Sequence, residues 1–484
     1  MRRIVADVAV VGAGVAGVTS AISVAEKGYS VALFEFANGI AEAAPFFGES
    51  KPGQKTDGSP SLAGINGIFA VETEFQNSRH HVTKKKDVYD YLLEHAHWDI
   101  DPRIVADFVN RSAEVYEWLA RDGLKIDVAV SYFKDAPFTW LFFDKKGPRL
   151  PEILLGRLRK LPNCTVYGNV EIKSIIKQEG KVCGVRGVYV DGENKGEEIE
   201  AKTRAVVIAT GEPGFGMGGP EQRDRSLRNL EMAVAIGAAR AKDVYVGNAS
   251  LDGMMMPDSL GNLRQPTQLI VNRDAERFTN EEVLKYLDET ALNFAFQKDG
   301  IVFTIFDENI NKYHEQHGWF YFFYGRGPQR PENTRAIFEQ LIAQGANSLF
   351  LADSIEELAV KMGLNPSVLK KTVDEYNRVC ATGRDPLMKD IRFLIPLTTP
   401  PFYGARMKSE VVKVPGPLRP SPKCEVLDKN LDPIPGLYAA GGACNILNHE
   451  LYTHRIAGSR STYALISGRI LGESIPDYLK KNYG

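Results

Sequence analysis

The chain has 484 residues, 44% hydrophobic and 25% charged, ordinary globular proportions that set aside disorder and fibrous repeats. Its 59 Lys plus Arg residues nearly balance 61 Asp plus Glu, so no net field recruits nucleic acid or anionic lipid and function must rest on a local site. The length suggests roughly two to four domains.

At the start, Met1-Arg2-Arg3 precedes a long apolar run from Val8 to Ala25 that resembles an export signal. Asp7 and three glycines interrupt it, and processing would remove the nucleotide site argued next, so the expected location is cytoplasmic. No other stretch approaches the ~18 apolar residues of a membrane helix.

Asp7–Val11 reads as a buried strand, 12–17 as a glycine turn, Val18–Lys27 as a helix and Ser30–Glu35 as a second strand. This is a dinucleotide-binding βαβ unit. Gly12 permits the tight turn, Gly14 lets a pyrophosphate approach the backbone, and Gly17 allows the helix to pack closely. Glu35, about twenty residues after Gly14, is placed to accept hydrogen bonds from ribose hydroxyls. The fingerprint leaves FAD and NAD equally open, because both carry the same ADP moiety.

Further along, Thr165–Ile176 alternates as a strand, Lys181–Tyr189 pairs with it as a hairpin, and 204–211 is a buried strand ending in Ala209-Thr210-Gly211. Near the other end, 434–441 reads as a strand running into Gly441-Gly442, followed by a helix over Ser459–Leu471. The cysteines, Cys164, Cys183, Cys380, Cys424 and Cys444, have no metal or redox spacing, and His314 and His317 lack the helical zinc-pair spacing. No metal is expected.

These segments, with 269–281 (LIVNRDAERFTNE) and 351–377, resemble the FAD flavoproteins of the fumarate reductase and succinate dehydrogenase superfamily, including its ketosteroid dehydrogenase branch. The resemblance implies an α/β fold: a Rossmann-like FAD-binding domain built from 1–243 and 414–484, with an inserted α+β cap over 244–413. It also implies FAD contacts from Gly12, Gly14, Ala16, Gly17, Glu35, Ser61, Gly64, Val170, Ala209, Thr210, Gly211, Gly441, Gly442, Ser459 and Ser461. The attachment histidine of covalent members is missing between Gly48 and Gly67, so noncovalent FAD is expected.

By the same likeness Arg455, beside His454, takes the position that clamps a substrate carboxyl, and Arg264 that of a proton-relay arginine. Lys285 stands where fumarate reductases carry the proton-donating arginine and ketosteroid dehydrogenases a tyrosine, and Tyr286 follows one place later. A lysine ammonium can serve as an acid where a guanidinium does so poorly, although Lys285 beside Glu281 and Glu282 also reads as a solvated ion pair. The relay acid is replaced by Gly261 and the family's histidine by Lys413, which dismantles a dicarboxylate site.

The aromatic run 319–324 (WFYFFY), with Tyr452, His454 and Met254, Met255 and Met256, suggests an aromatic, adaptable cleft, since alternating side chains cannot all enter one core. A phenolic or polycyclic substrate is therefore expected, isoflavonoid or cinnamate-like, as in the reduction of tetrahydrodaidzein to equol. The alternatives are a 3-ketosteroid 1,2-dehydrogenase, a fumarate-type enoate reductase and a non-catalytic flavin-binding sensor. No haem-attachment or iron–sulfur cysteine set is present, so electrons must come from an external reductase, a ferredoxin-like protein, a nicotinamide or a second substrate. The sequence leaves the oligomeric state open.

Overall fold

Short segments that are apolar throughout are stable only where both faces of a sheet are covered. Val8–Val11, Val31–Phe34 and Ala205–Ile208 are such segments, buried along their whole length. In the computed structural model, which describes residues 1–40, 65–80, 83–131, 138–212, 219–254, 260, 263–321 and 330–484, they form the centre of a six-stranded sheet. Its order is 425–427, 433–439, 205–208, 8–11, 31–34, 164–167, parallel except at the 425–427 edge. The strand Val8–Val11 feeds directly into the helix Val15–Ala25, every residue of which is buried. The apolar run at the start is thus divided between a strand and a helix, and Arg2–Val5 pairs in parallel with Glu198–Lys202 in a second sheet.

Three element boundaries differ from expectation. The stretch Thr165–Ile176 is two strands in two sheets: Cys164–Tyr167 joins the parallel sheet, and Val170–Gln178 forms the expected hairpin with Lys181–Tyr189. The break falls at Asn169, whose φ of +57° is a left-handed conformation that asparagine tolerates. The first helix begins three residues early, at Val15, because the turn ends at Gly14. The last helix runs Ser459–Tyr483, past Leu471 and through Pro476, held along Val15–Ala25 by close approach of Gly468 to Thr19 and Gly472 to Ser23.

A separate, antiparallel sheet has the order 244–251, 402–414, 301–307, 269–271, with 349–352 also paired to 402–414. Helices including Leu287–Ala295, Thr334–Ala343, Ile355–Met362 and Pro366–Thr382 accompany it. The buried apolar residues fall into two clusters. One contains residues from 4 to 238 and from 418 to 479; the other runs from 249 to 407. Val244 pairs with Val414, so the chain enters and leaves this antiparallel sheet on neighbouring strands. Among the described residues, no helix is long and apolar enough to cross a membrane.

Candidate active site

The glycine turn is built by close approach. Gly12 has φ +101°, and a β-carbon there would lie 2.6 Å from the Ala209 carbonyl oxygen. A β-carbon on Gly17 would lie 1.8 Å from the Gly12 carbonyl oxygen, so the helix can sit this near the turn only with glycine. Glu35 secures the turn from the next strand: its carboxylate accepts from the Ala13 N–H (2.7 Å) and the Ala37 N–H (3.0 Å). Loss of water around it pushes the Glu35 carboxyl above its usual range, opposed by those N–H groups and by Arg225. Val170 donates its N–H to the Glu35 carbonyl (2.8 Å), fixing the strand end. Each carboxylate oxygen keeps a second lone pair for a ribose hydroxyl.

Three further segments converge on this turn. Gly441 lies against Ala16, and Gly442 against the backbone of Glu212, which follows Ala209, Thr210 and Gly211. The Thr210 hydroxyl and one carboxylate oxygen of Glu212 are buried without a hydrogen-bond partner among the described residues. The other Glu212 oxygen pairs with Arg460, and burial raises the Glu212 carboxyl above the ordinary range. Neither the helix starting at Val15 nor the one starting at Ser459 has a side-chain cap, so both present uncapped N–H groups. Ser459 is buried and Ser461 half-buried in the first turn of the latter.

A second group of residues meets at the seam between the two apolar clusters. Tyr286 precedes the helix Leu287–Ala295, and the Arg455 guanidinium lies 3.6 Å from its ring centroid and 5.6 Å from that of Tyr91. Arg455 Nη2 is 3.7 Å from Glu289 Oε1, and Lys285 Nζ is 4.9 Å from the Tyr286 ring and 3.9 Å from Glu282 Oε2. Thr453 accepts the Arg455 N–H at its hydroxyl (3.3 Å), and that hydroxyl lies 2.6 Å from the Tyr91 phenol. His95, stacked on Tyr91, bonds through Nε2 to the Leu451 carbonyl (2.7 Å). Burial, with the Arg455 charge, pulls the His95 imidazole below its usual range, while burial pushes the Tyr91 phenol up to about 12. At neutral pH both are uncharged.

The structure therefore brings together Lys285, Tyr286 and Arg455 from the expected set. Arg264 stands half-buried in the segment leading into the strand Leu269–Val271. Ser61, Gly64, Met255, Met256, Gly261, the run 322–324 and the side chain of His454 lie outside the described residues. Tyr452 is buried with its ring 5.4 Å from the Arg460 guanidinium.

Several expectations need correction. Lys285 is in a short 3-10 helix, Glu281–Lys285, and of the two glutamates it is Glu282 that accompanies it. Glu281 turns the other way and is fully buried, salt-bridged by Arg277 (2.7 Å) and Lys389 (3.1 Å), with Asp385 on the far side of Arg277 (2.7 Å). The 269–281 motif thus ends in an internal ion cluster. Lys413 is 59% exposed and paired with Asp243 at 3.1 Å, a solvated residue of the strand Phe402–Val414. Of the described part of the aromatic run, Tyr321 is buried in the second cluster, Phe320 packs against it and meets Phe393 edge-on at 4.9 Å, and Trp319, 5.0 Å from buried His314, lines a small cavity with Leu260 and Phe306.

Tyr91, His95 and Glu289 were not distinguishable from the sequence. The i,i+4 spacing of Tyr91 and His95 places them on one helix face, but nothing local names its partner.

The profile of the FAD binding domain family matches residues 53–454, and that of glucose inhibited division protein A matches 7–63. Over 500 residues the chain is 25% identical to a vinyl phenol reductase of Lactiplantibacillus plantarum, covering 98% of this chain and 96% of that protein. It is 26% identical over 397 residues to an NADH:acrylate oxidoreductase of Vibrio harveyi, covering 77% of this chain and 37% of that longer protein. In fold it resembles 3-ketosteroid-delta4-(5alpha)-dehydrogenase from Rhodococcus jostii, with TM-score 0.71, 20% identity, and coverage of 98% and 97%. The residues present fit FAD: Gly12 and Gly17 let turn and helix pack closely, Glu35 keeps lone pairs that a ribose hydroxyl would use, and the buried unsatisfied oxygens of Thr210 and Glu212 sit where the loops converge.

Proposed function

The chain belongs to the FAD binding domain family, within the fumarate reductase and succinate dehydrogenase flavoproteins, and from that premise we propose that this FAD-dependent oxidoreductase reduces a carbon–carbon double bond conjugated to a phenol. The supporting observation is the seam cluster, in which a guanidinium is held by two tyrosine rings and each seam cation already faces a carboxylate. A small neutral aromatic acceptor suits such surroundings better than a dicarboxylate. Vinyl phenols come first and isoflavonoids second, because near end-to-end similarity to a vinyl phenol reductase favours the smaller substrate.

Bound noncovalently, reduced FAD would supply the hydride equivalent. The residues of the chain then have separate tasks. Tyr286, Tyr91 and Arg455 orient the ring; Lys285 holds the proton at Nζ that completes the reduction; and closure of 244–413 over 1–243 and 414–484 excludes water. The electron donor is a separate molecule, and the reaction is cytoplasmic.

The test is anaerobic reduction of the holoenzyme with dithionite, followed by mixing with 4-vinylphenol, an isoflavonoid, 4-androstene-3,17-dione or fumarate. Rapid return of the oxidised flavin spectrum with a phenolic alkene is expected. Faster return with fumarate, or no response to any phenol, overturns the reading.

A further inference from the structure

The seam cluster has a charge arrangement that the proposed reduction does not itself require. Arg455 is half-buried, and its Nε is buried with no hydrogen-bond partner among the described residues. A guanidinium so placed attracts any carboxylate that can present two oxygens to its fork. Glu289, two residues into the helix that Tyr286 precedes, already stands 3.7 Å from Arg455 Nη2, near enough to balance the charge and too far to fill the fork. Lys285 is balanced in the same way by Glu282. A carboxylate entering beside Tyr286 would meet no uncompensated charge on either of these cations and would lie close to the like charge of Glu289.

We propose that Glu289 is a specificity-determining residue: as the resident counter-anion of Arg455, it biases the site toward neutral phenols and against analogues carrying a carboxylate. This rests on reading the cluster as the acceptor site. It assigns Glu289 a task separate from proton delivery, since it acts on the substrate charge through Arg455 and need not touch the reacting carbons.

The test compares two non-reacting ligands that differ by a carboxylate, 4-ethylphenol and 3-(4-hydroxyphenyl)propanoate, titrated into the oxidised holoenzyme while the flavin absorption is followed. Wild-type protein should bind the neutral ligand at least tenfold more tightly. In Glu289→Gln, and in Glu289→Ala as a second variant, that preference should fall by tenfold or more. Adding Arg455→Met to Glu289→Gln should abolish the gain for the carboxylate. Retained FAD absorbance establishes that each variant is folded. If both ligands bind and the preference is the same in wild type and both Glu289 variants, the assignment of Glu289 fails while the acceptor-site reading stands. If neither ligand binds any of the proteins, the acceptor-site reading fails and carries this assignment with it.

Discussion

Arg455 and Tyr286 meet across the seam with the guanidinium carbon 3.6 Å from the ring centroid. One residue precedes the final helix and the other opens a helix of the second cluster, so a single stacked pair spans the two halves of the site. Stacking of this kind contributes about 1–2 kcal/mol when partly desolvated and depends on a planar cation. Arg455→Lys should therefore lower kcat/KM for a phenolic acceptor by tenfold or more while FAD content, read from the visible-to-ultraviolet absorbance ratio, stays at the wild-type level.

Lys285→Met removes the proton held near the Tyr286 ring without changing side-chain length greatly. We expect kcat to fall by at least tenfold and KM to change by less than threefold, with loss of the solvent deuterium effect on flavin reoxidation. Wild-type kcat in this variant would reduce Lys285 to the ion pair it makes with Glu282.

Gly17→Ala introduces a β-carbon where only 1.8 Å separates it from the Gly12 carbonyl oxygen. The helix Val15–Ala25 must shift away from the turn, and the variant should purify with less than a tenth of the wild-type FAD. Full flavin occupancy would show that the turn yields more readily than its packing indicates.

The His95 imidazole gives a pH prediction with a definite sign. Its proton affinity is lower in the folded chain than the ordinary value of 6.5, because of burial and the Arg455 charge. Its stabilising contribution is therefore complete above that value and is lost as pH falls through the folded one, at no more than ~1.4 kcal/mol per pH unit. Thermal unfolding of wild type and His95→Gln between pH 8 and pH 5 should show the wild type losing more Tm on acidification. Parallel curves would remove His95 from the account.

The ion cluster beneath the 269–281 motif is buried, with Lys389 donating to the Gln268 carbonyl (3.0 Å) and the Tyr376 hydroxyl (2.9 Å) as well as facing Glu281. Breaking such a pair from one side costs about 3–5 kcal/mol. Lys389→Met should lower Tm sharply, and Lys389→Met combined with Glu281→Gln should recover part of the loss, since no uncompensated charge is then left beside Tyr376.

The nucleotide turn was legible because its constraints are local: Gly12, Gly17 and Glu35 lie within one βαβ unit and each answers a separate steric or hydrogen-bonding need. The seam was only half legible. Arg455 and Tyr286 could be named as candidates, but their meeting depends on how two clusters built from distant stretches of chain come together. Glu281 and Glu282 are neighbours of the same type, and their opposite fates follow from Arg277 and Lys389, which only the fold brings near. Hydrophobic alternation likewise continued through Asn169 and concealed a change of sheet.

Because Val244 pairs with Val414, the chain returns to within about one strand spacing, ~4.8 Å, of where it departed. Everything between those two residues hangs from a single doorway. A relative could exchange the whole 249–407 cluster, and with it Lys285, Tyr286 and Glu289, by rejoining two adjacent backbone ends. Such an exchange would leave Arg455, Tyr91 and Thr453 with the parallel sheet, so a chimera joined at Val244 and Val414 has to keep the ring that stacks on Arg455 matched across the seam.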